Sequence, residues 1–181
     1  MARAFAFLRA VNVGGRTIRM ERLRAAFEAM GFDGVETFIA SGNVVFDAGR
    51  VPARALERRI ETGLHSAFGY EVDTFVRTSR ELAEIVAREP FDPASVAAAH
   101  AVYVLLLSTP LRAAARERLL AAQTATDEFR VFEREVHWLC RVPVVDSPLS
   151  GPQLGKLLDG ATTTSRNVKT LRRLAAKYRL A

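Results

Sequence analysis

The chain has 181 residues, and its 26 Lys+Arg against 20 Asp+Glu give a formal net charge of +6 at pH 7. That length suits one large or two small domains, and 49% hydrophobic with 25% charged residues excludes a disordered or fibrous chain. The longest apolar run, Ala101 to Leu107, is too short to span a bilayer, Arg9 interrupts the first apolar stretch so that no leader is expected, and the single Cys140 excludes an internal disulfide framework, so the expectation is a cytoplasmic protein with no membrane contact.

In chain order, Ala4 to Val11 alternates as a strand, and Asn12-Val13-Gly14-Gly15 breaks it. Met20, Leu23, Phe27 and Met30 repeat at helical spacing over Arg19 to Met30, and Gly31 is the stop. Val35 to Ala40 and Val44 to Asp47 read as short strands joined by a tight turn at Ser41-Gly42-Asn43. Leu56, Ile60, Leu64 and Phe68 stripe a helix over Ala53 to Phe68, closed by Gly69, and Val72 to Arg77 is a fourth strand. This β-α-β-β-α-β order is the ferredoxin-like unit. Thr78 or Ser79 caps a helix to about Arg88, and Phe91 to Ala99 connects the halves. Ala101 to Leu107, apolar on both faces, is a buried strand. A helix from Pro110 to about Ala122, a hairpin of Phe129 to Phe132 with Val136 to Leu139, a short helix near Gln153 to Leu158 and a last helix from Ser165 to about Leu180 complete the chain. The expected class is therefore α+β: residues 1–90 form a ferredoxin-like subdomain, and residues 91–181 form a second, related βαββα subdomain with a basic C-terminal helix. Only the order of elements repeats between the halves.

The charge is uneven. Of the 26 basic residues 23 are Arg, and with 29 Ala this composition is also what a GC-rich genome produces. Residues 1–149 sum to zero, whereas residues 150–181 hold seven basic residues and one acidic one. On the last helix Val168, Leu171, Ala175 and Tyr178 share one face, and Arg166, Lys169, Arg173 and Lys177 form a stripe on another. Such a helix docks through its apolar side and leaves its basic side to solvent or to phosphates.

In a ferredoxin-like unit strands one and two end at the same edge of the sheet, which brings Asn12 to Gly15 beside Ser41 to Asn43. Two glycine-rich turns there leave backbone N–H groups little shielded, with Arg9, Asn12, Arg16, Ser41 and Asn43 as further donors. An anion or phosphate needs such a set. Glycine, serine and asparagine are equally the ordinary residues of turns.

Leu8-Arg9-Ala10-Val11-Asn12-Val13-Gly14-Gly15 resembles the LRGINVGG opening of the family called domain of unknown function 1697, and Ser41-Gly42-Asn43-Val44-Val45-Phe46 is similar to its SGNVVF motif. Glu89-Pro90-Phe91 resembles its NPF element, and Thr164-Ser165-Arg166-Asn167 with Thr170 its C-terminal TTRNWNT segment. Ala10 stands where the family usually has Gly, Glu89 where it has Asn, and Val168 and Lys169 where it has Trp and Asn. The resemblance implies a tandem α+β fold and no particular activity.

Metal chemistry has little support, because no H-x-x-x-H, C-x-x-C or D-x-D pattern occurs. His65, His100 and His137 are scattered and read as structural, and Cys140 as a buried small hydrophobe. Gly151 to Leu157 is similar to a phosphate-binding loop but is one residue short and ends in Leu where Ser or Thr would hold magnesium. Trp138, Phe129 and Phe132 suit either base stacking on an open sheet or a core, and core is the commoner use. The leading expectation is an anionic ligand, nucleic acid first, bound by Arg9, Asn12, Gly14, Gly15, Ser41, Gly42, Asn43, Arg166 and Asn167. The alternatives are a small-molecule enzyme using the same cleft and a protein-interaction module using the last helix. The sequence names no reaction, catalytic residue or cofactor.

Overall fold

A computed structural model describes residues 2–11, 18–39 and 42–180. By backbone contacts the chain divides into two compact units, residues 1–84 with Leu180 and residues 85–179 with Ala181.

The first unit runs β1 (Arg3–Leu8), α1 (Met20–Ala29), β2 (Asp33–Thr37), β3 (Asn43–Asp47), α2 (Ala53–Phe68), β4 (Thr74–Thr78) and the start of α3 (Ser79–Ala87). Its sheet has the order β2-β3-β1-β4 with every neighbour antiparallel, the ferredoxin-like arrangement expected from the order of elements. Alternation along β1 turns Ala4, Ala6 and Leu8 toward the helices, where Leu23 and Phe27 of α1 and Leu56, Ile60 and Leu64 of α2 complete the core. Phe27, Phe32 and Phe46 pack there with ring centres 4.6 to 5.8 Å apart. Burying each such ring stabilises the unit by about 1.5–3 kcal/mol. The other sheet face, with Phe5, Phe7, Val45 and Phe75, is buried as well.

The second unit contains the rest of α3 and continues through α4 (Pro93–Ala98), β5 (Ala101–Leu107), α5 (Ala113–Ala121), β6 (Asp127–Val131), β7 (Glu135–Cys140), α6 (Pro152–Leu157), β8 (Thr163–Asn167) and α7 (Val168–Lys177). Its sheet, β6-β7-β5-β8, repeats the first in order and in antiparallel pairing. Leu105, Leu107, Phe129, Val136, Trp138 and Cys140 face Leu119 and Leu158 on the helix side. Phe129 and Trp138 stack on each other with centres 5.6 Å apart, so these aromatics form core. Cys140 is buried, and burial pushes its thiol up to about 12.

The repeated βαββα order holds, and the second unit adds a strand that the hydrophobic pattern concealed. Ser165, Arg166 and Asn167 belong to β8, so α7 begins at Val168, three residues later than expected, and it ends at Lys177, short of Leu180. Asn167 caps α7, its Oδ1 accepting the Lys169 N–H at 2.9 Å. Thr78 does the same for α3: its Oγ1 accepts the Glu81 N–H at 3.2 Å while the Glu81 carboxylate accepts the Thr78 N–H at 2.7 Å, a reciprocal capping box. Residues 152–157 are helical, so Gly155 and Lys156 lie within a helix turn and form no phosphate loop.

Candidate functional site

The end of β1 and the start of β3 meet as the topology requires. The Leu8 N–H donates to the Gly42 carbonyl at 2.8 Å. Gly42 has φ +67°, and a Cβ there would stand 3.2 Å from Leu8 Cβ, 3.2 Å from Val11 Cγ2 and 3.3 Å from the Leu8 carbonyl oxygen. Glycine is therefore required twice, for its backbone angle and for the close approach of the two segments. Asn12, Gly14, Gly15, Arg16 and Ser41 lie outside the described residues.

Arg9 extends from this junction. Its N–H donates to the Asp73 carbonyl at 2.9 Å, and its half-exposed guanidinium pairs with the Asp73 carboxylate at 3.2 Å. An exposed pair of this kind contributes little stability, so the guanidinium can exchange Asp73 for another anion at small cost. Asn43 is different. It is buried, and its Nδ2 donates to the Phe38 carbonyl at 3.0 Å, which ties the β2–β3 connection together.

Arg166 and Asn167 belong to the second unit. Arg166 sits on β8 opposite Val104 of β5, nine-tenths buried. Its Nη1 donates to Thr164 Oγ1 and to the Ser165 carbonyl, both at 2.8 Å, and burial lowers its pKa to about 10, which leaves it charged at neutral pH. Arg77 holds the matching place in the first unit. It lies opposite Phe5 on β4, and its Nη1 donates to the preceding carbonyl, that of Val76, at 3.0 Å. The two arginines are a residue-level repeat that the order of elements alone did not reveal.

Two further features adjoin or lie beyond this junction, the first sharing Asp73 with it. An open cleft of about 470 Å³ is lined by Glu61, His65, Ser66, Glu71 and Asp73, where burial raises the Glu61 carboxyl against the lowering effect of the Thr74 N–H that donates to it. In the second unit the buried Asp127 carboxylate accepts from Trp138 Nε1 and Ser147 Oγ at 2.8 Å, from Thr124 Oγ1 at 2.9 Å and from Thr126 Oγ1 at 2.7 Å. Burial raises its pKa, but these four donors outweigh burial and hold it below the usual carboxylate range. It pins the segment after β7 to the core, and sequence spacing gave no sign of it. Among the described residues no group of three or more His, Cys, Asp or Glu is placed to hold a metal ion, and no helix is long and apolar enough to cross a membrane.

The fold and the Gly42 junction thus define a tandem α+β protein whose sheets share one topology. The chain belongs to the family described as protein of unknown function DUF1697, whose model matches residues 1–137. Among solved structures it is similar to the conserved bacterial protein SP0830 from Streptococcus pneumoniae, with a TM-score of 0.70, 16% identity and 97% of each chain covered, a likeness of fold. No curated protein matches the chain.

Proposed function

We propose that the protein binds an anionic ligand, nucleic acid before other classes, at the edge of the first unit where the segment after β1 meets the segment before β3. The observation that carries this reading is the contact of Gly42 with Leu8 and Val11, with the half-exposed Arg9 beside it. It supports a surface on which two glycine-bearing motifs adjoin and a guanidinium is held by one weak pair. In the second unit, the exposed side of α7, with Lys169, Arg172, Arg173 and Lys177, is a separate positive surface of the kind phosphates favour. The side chains of Arg166 and Asn167 bond within β8 and at the α7 cap, in the second unit, and the reading does not rest on them.

The test is binding of fluorescent single-stranded oligonucleotides by anisotropy at 50 and 200 mM salt. Three phosphate contacts on a single strand predict an affinity loss of about 20-fold between these conditions. Arg9→Glu should weaken binding at the lower salt. Flat salt dependence, or no effect of Arg9→Glu, contradicts the reading.

A further inference from the structure

The second unit contains a cavity of about 260 Å³ on the sheet face turned away from α5 and α6. Its walls are apolar, with Phe91 and Val96 from the segment after α3, Val102 from β5 and Val168 from α7. Arg88 and Arg172 bring two guanidinium groups to it, and His137 of β7 lines it.

His137 is the unexpected member. It is fully buried, and neither ring nitrogen has a hydrogen-bond partner among the described residues. A buried polar group left so costs about 1–3 kcal/mol and calls for a reason. The internal repeat shows that the fold does not require it. The row His137–Val104–Arg166 of the second sheet corresponds to Val45–Phe5–Arg77 of the first, so a valine fills the same register position there. Burial, then the charges of Arg88 and Arg172, push the His137 pKa down to about 4. It is therefore neutral at pH 7 and offers one N–H donor and one acceptor.

Each arginine faces a carboxylate: Arg172 weakly, across from Glu89, which also lines the cavity, and Arg88 more firmly, across from the buried Glu135. Arg172 is half-exposed and 4.0 Å from the exposed carboxylate of Glu89. Arg88 lies 3.4 Å from Glu135, with its guanidinium carbon 4.4 Å from the centre of the Phe132 ring. Phe132 in turn meets His137 edge-on at 5.2 Å. Positive groups, an apolar wall and a neutral donor at one small cavity match a single ligand chemistry. We infer that this cavity binds a small apolar carboxylate, its charge paired with Arg88 and Arg172, its body against Phe91, Val102 and Val168, and its polar end hydrogen-bonded to His137.

The probes are benzoate and isovalerate, with benzamide and isovaleramide as neutral matches, titrated into the full chain at low ionic strength. The readout is the ring-nitrogen NMR signals of His137. The acids should shift them saturably and the amides should not. Arg172→Gln should weaken the acids by about tenfold or more. Val96→Trp, at a residue 40% exposed, should block the cavity while leaving the melting temperature near that of the parent. Equal response to acids and amides, no saturable shift with either acid, or unchanged affinity in Arg172→Gln and Val96→Trp overturns the inference.

Discussion

Ala10 occupies the left-handed region with φ +54°, at the motif position where the resembled family usually carries glycine. An L-residue there costs about 1–2 kcal/mol, part of which glycine returns through its greater freedom in the unfolded chain. Ala10→Gly should therefore raise stability by about 0.5–1 kcal/mol in urea unfolding, and a loss of stability would contradict the strain account. Single residues show how far the sequence reached. Gly42 beside Leu8 followed from a topology rule, because strand order fixes which loops adjoin. Asn43 reads from the sequence as a ligand donor, and in the fold its Nδ2 donates to the Phe38 carbonyl, since an amide at a turn satisfies nearby backbone as readily as a ligand. His137 reads as structural in the sequence because the three histidines are scattered without a visible partner, and Arg88 and Arg172, whose charges act on it, come from distant stretches of chain.

At the scale of elements, α2 and β5 matched their expected bounds, Ala53–Phe68 and Ala101–Leu107. Their patterns are unambiguous: an apolar stripe closed by a glycine with φ +78°, and a run apolar on both faces. β8 was missed because Thr-Thr-Ser-Arg-Asn has no apolar alternation. Its buried members are Thr164 and Arg166, and polar residues before an amphipathic stretch resemble a helix start. α7 itself docks through Leu171, Leu174 and Ala175, all buried. Leu171→Ala should destabilise the protein by about 2–5 kcal/mol in denaturant unfolding. Arg173→Glu with Lys177→Glu, on the exposed side, should leave stability within about 1 kcal/mol and act on oligonucleotide binding instead.

For the whole molecule, the net charge of +6 resides in the last 32 residues, and the fold gathers much of it on one side of one helix. Stability should also respond to acid in two separate windows. His137 is held neutral in the folded state, so between its unfolded value near 6.5 and its folded value of about 4 the unfolded chain binds the extra proton. Stability therefore falls as pH drops through this window, by an amount on the order of 3 kcal/mol. Asp127 has a lowered pKa, so its contribution persists through that window and is lost only as pH falls below the ordinary carboxylate range. Urea unfolding of the parent and of His137→Phe from pH 7 to pH 4 checks the first window. The variant should lose much of the slope above pH 4, and identical slopes would exclude His137 as its source.

Each sheet is completed by the strand that comes last in its unit, β4 or β8, pairing with the first strand of that unit. On a ribosome this order leaves one edge of β5 open while roughly 55 further residues are added, a delay of about 3–11 s at ordinary synthesis rates. The backbone groups along that edge are an invitation to pair with any passing strand until Thr163 to Asn167 emerge. A chain stalled before that point would carry its most apolar strand, β5, paired on one side only.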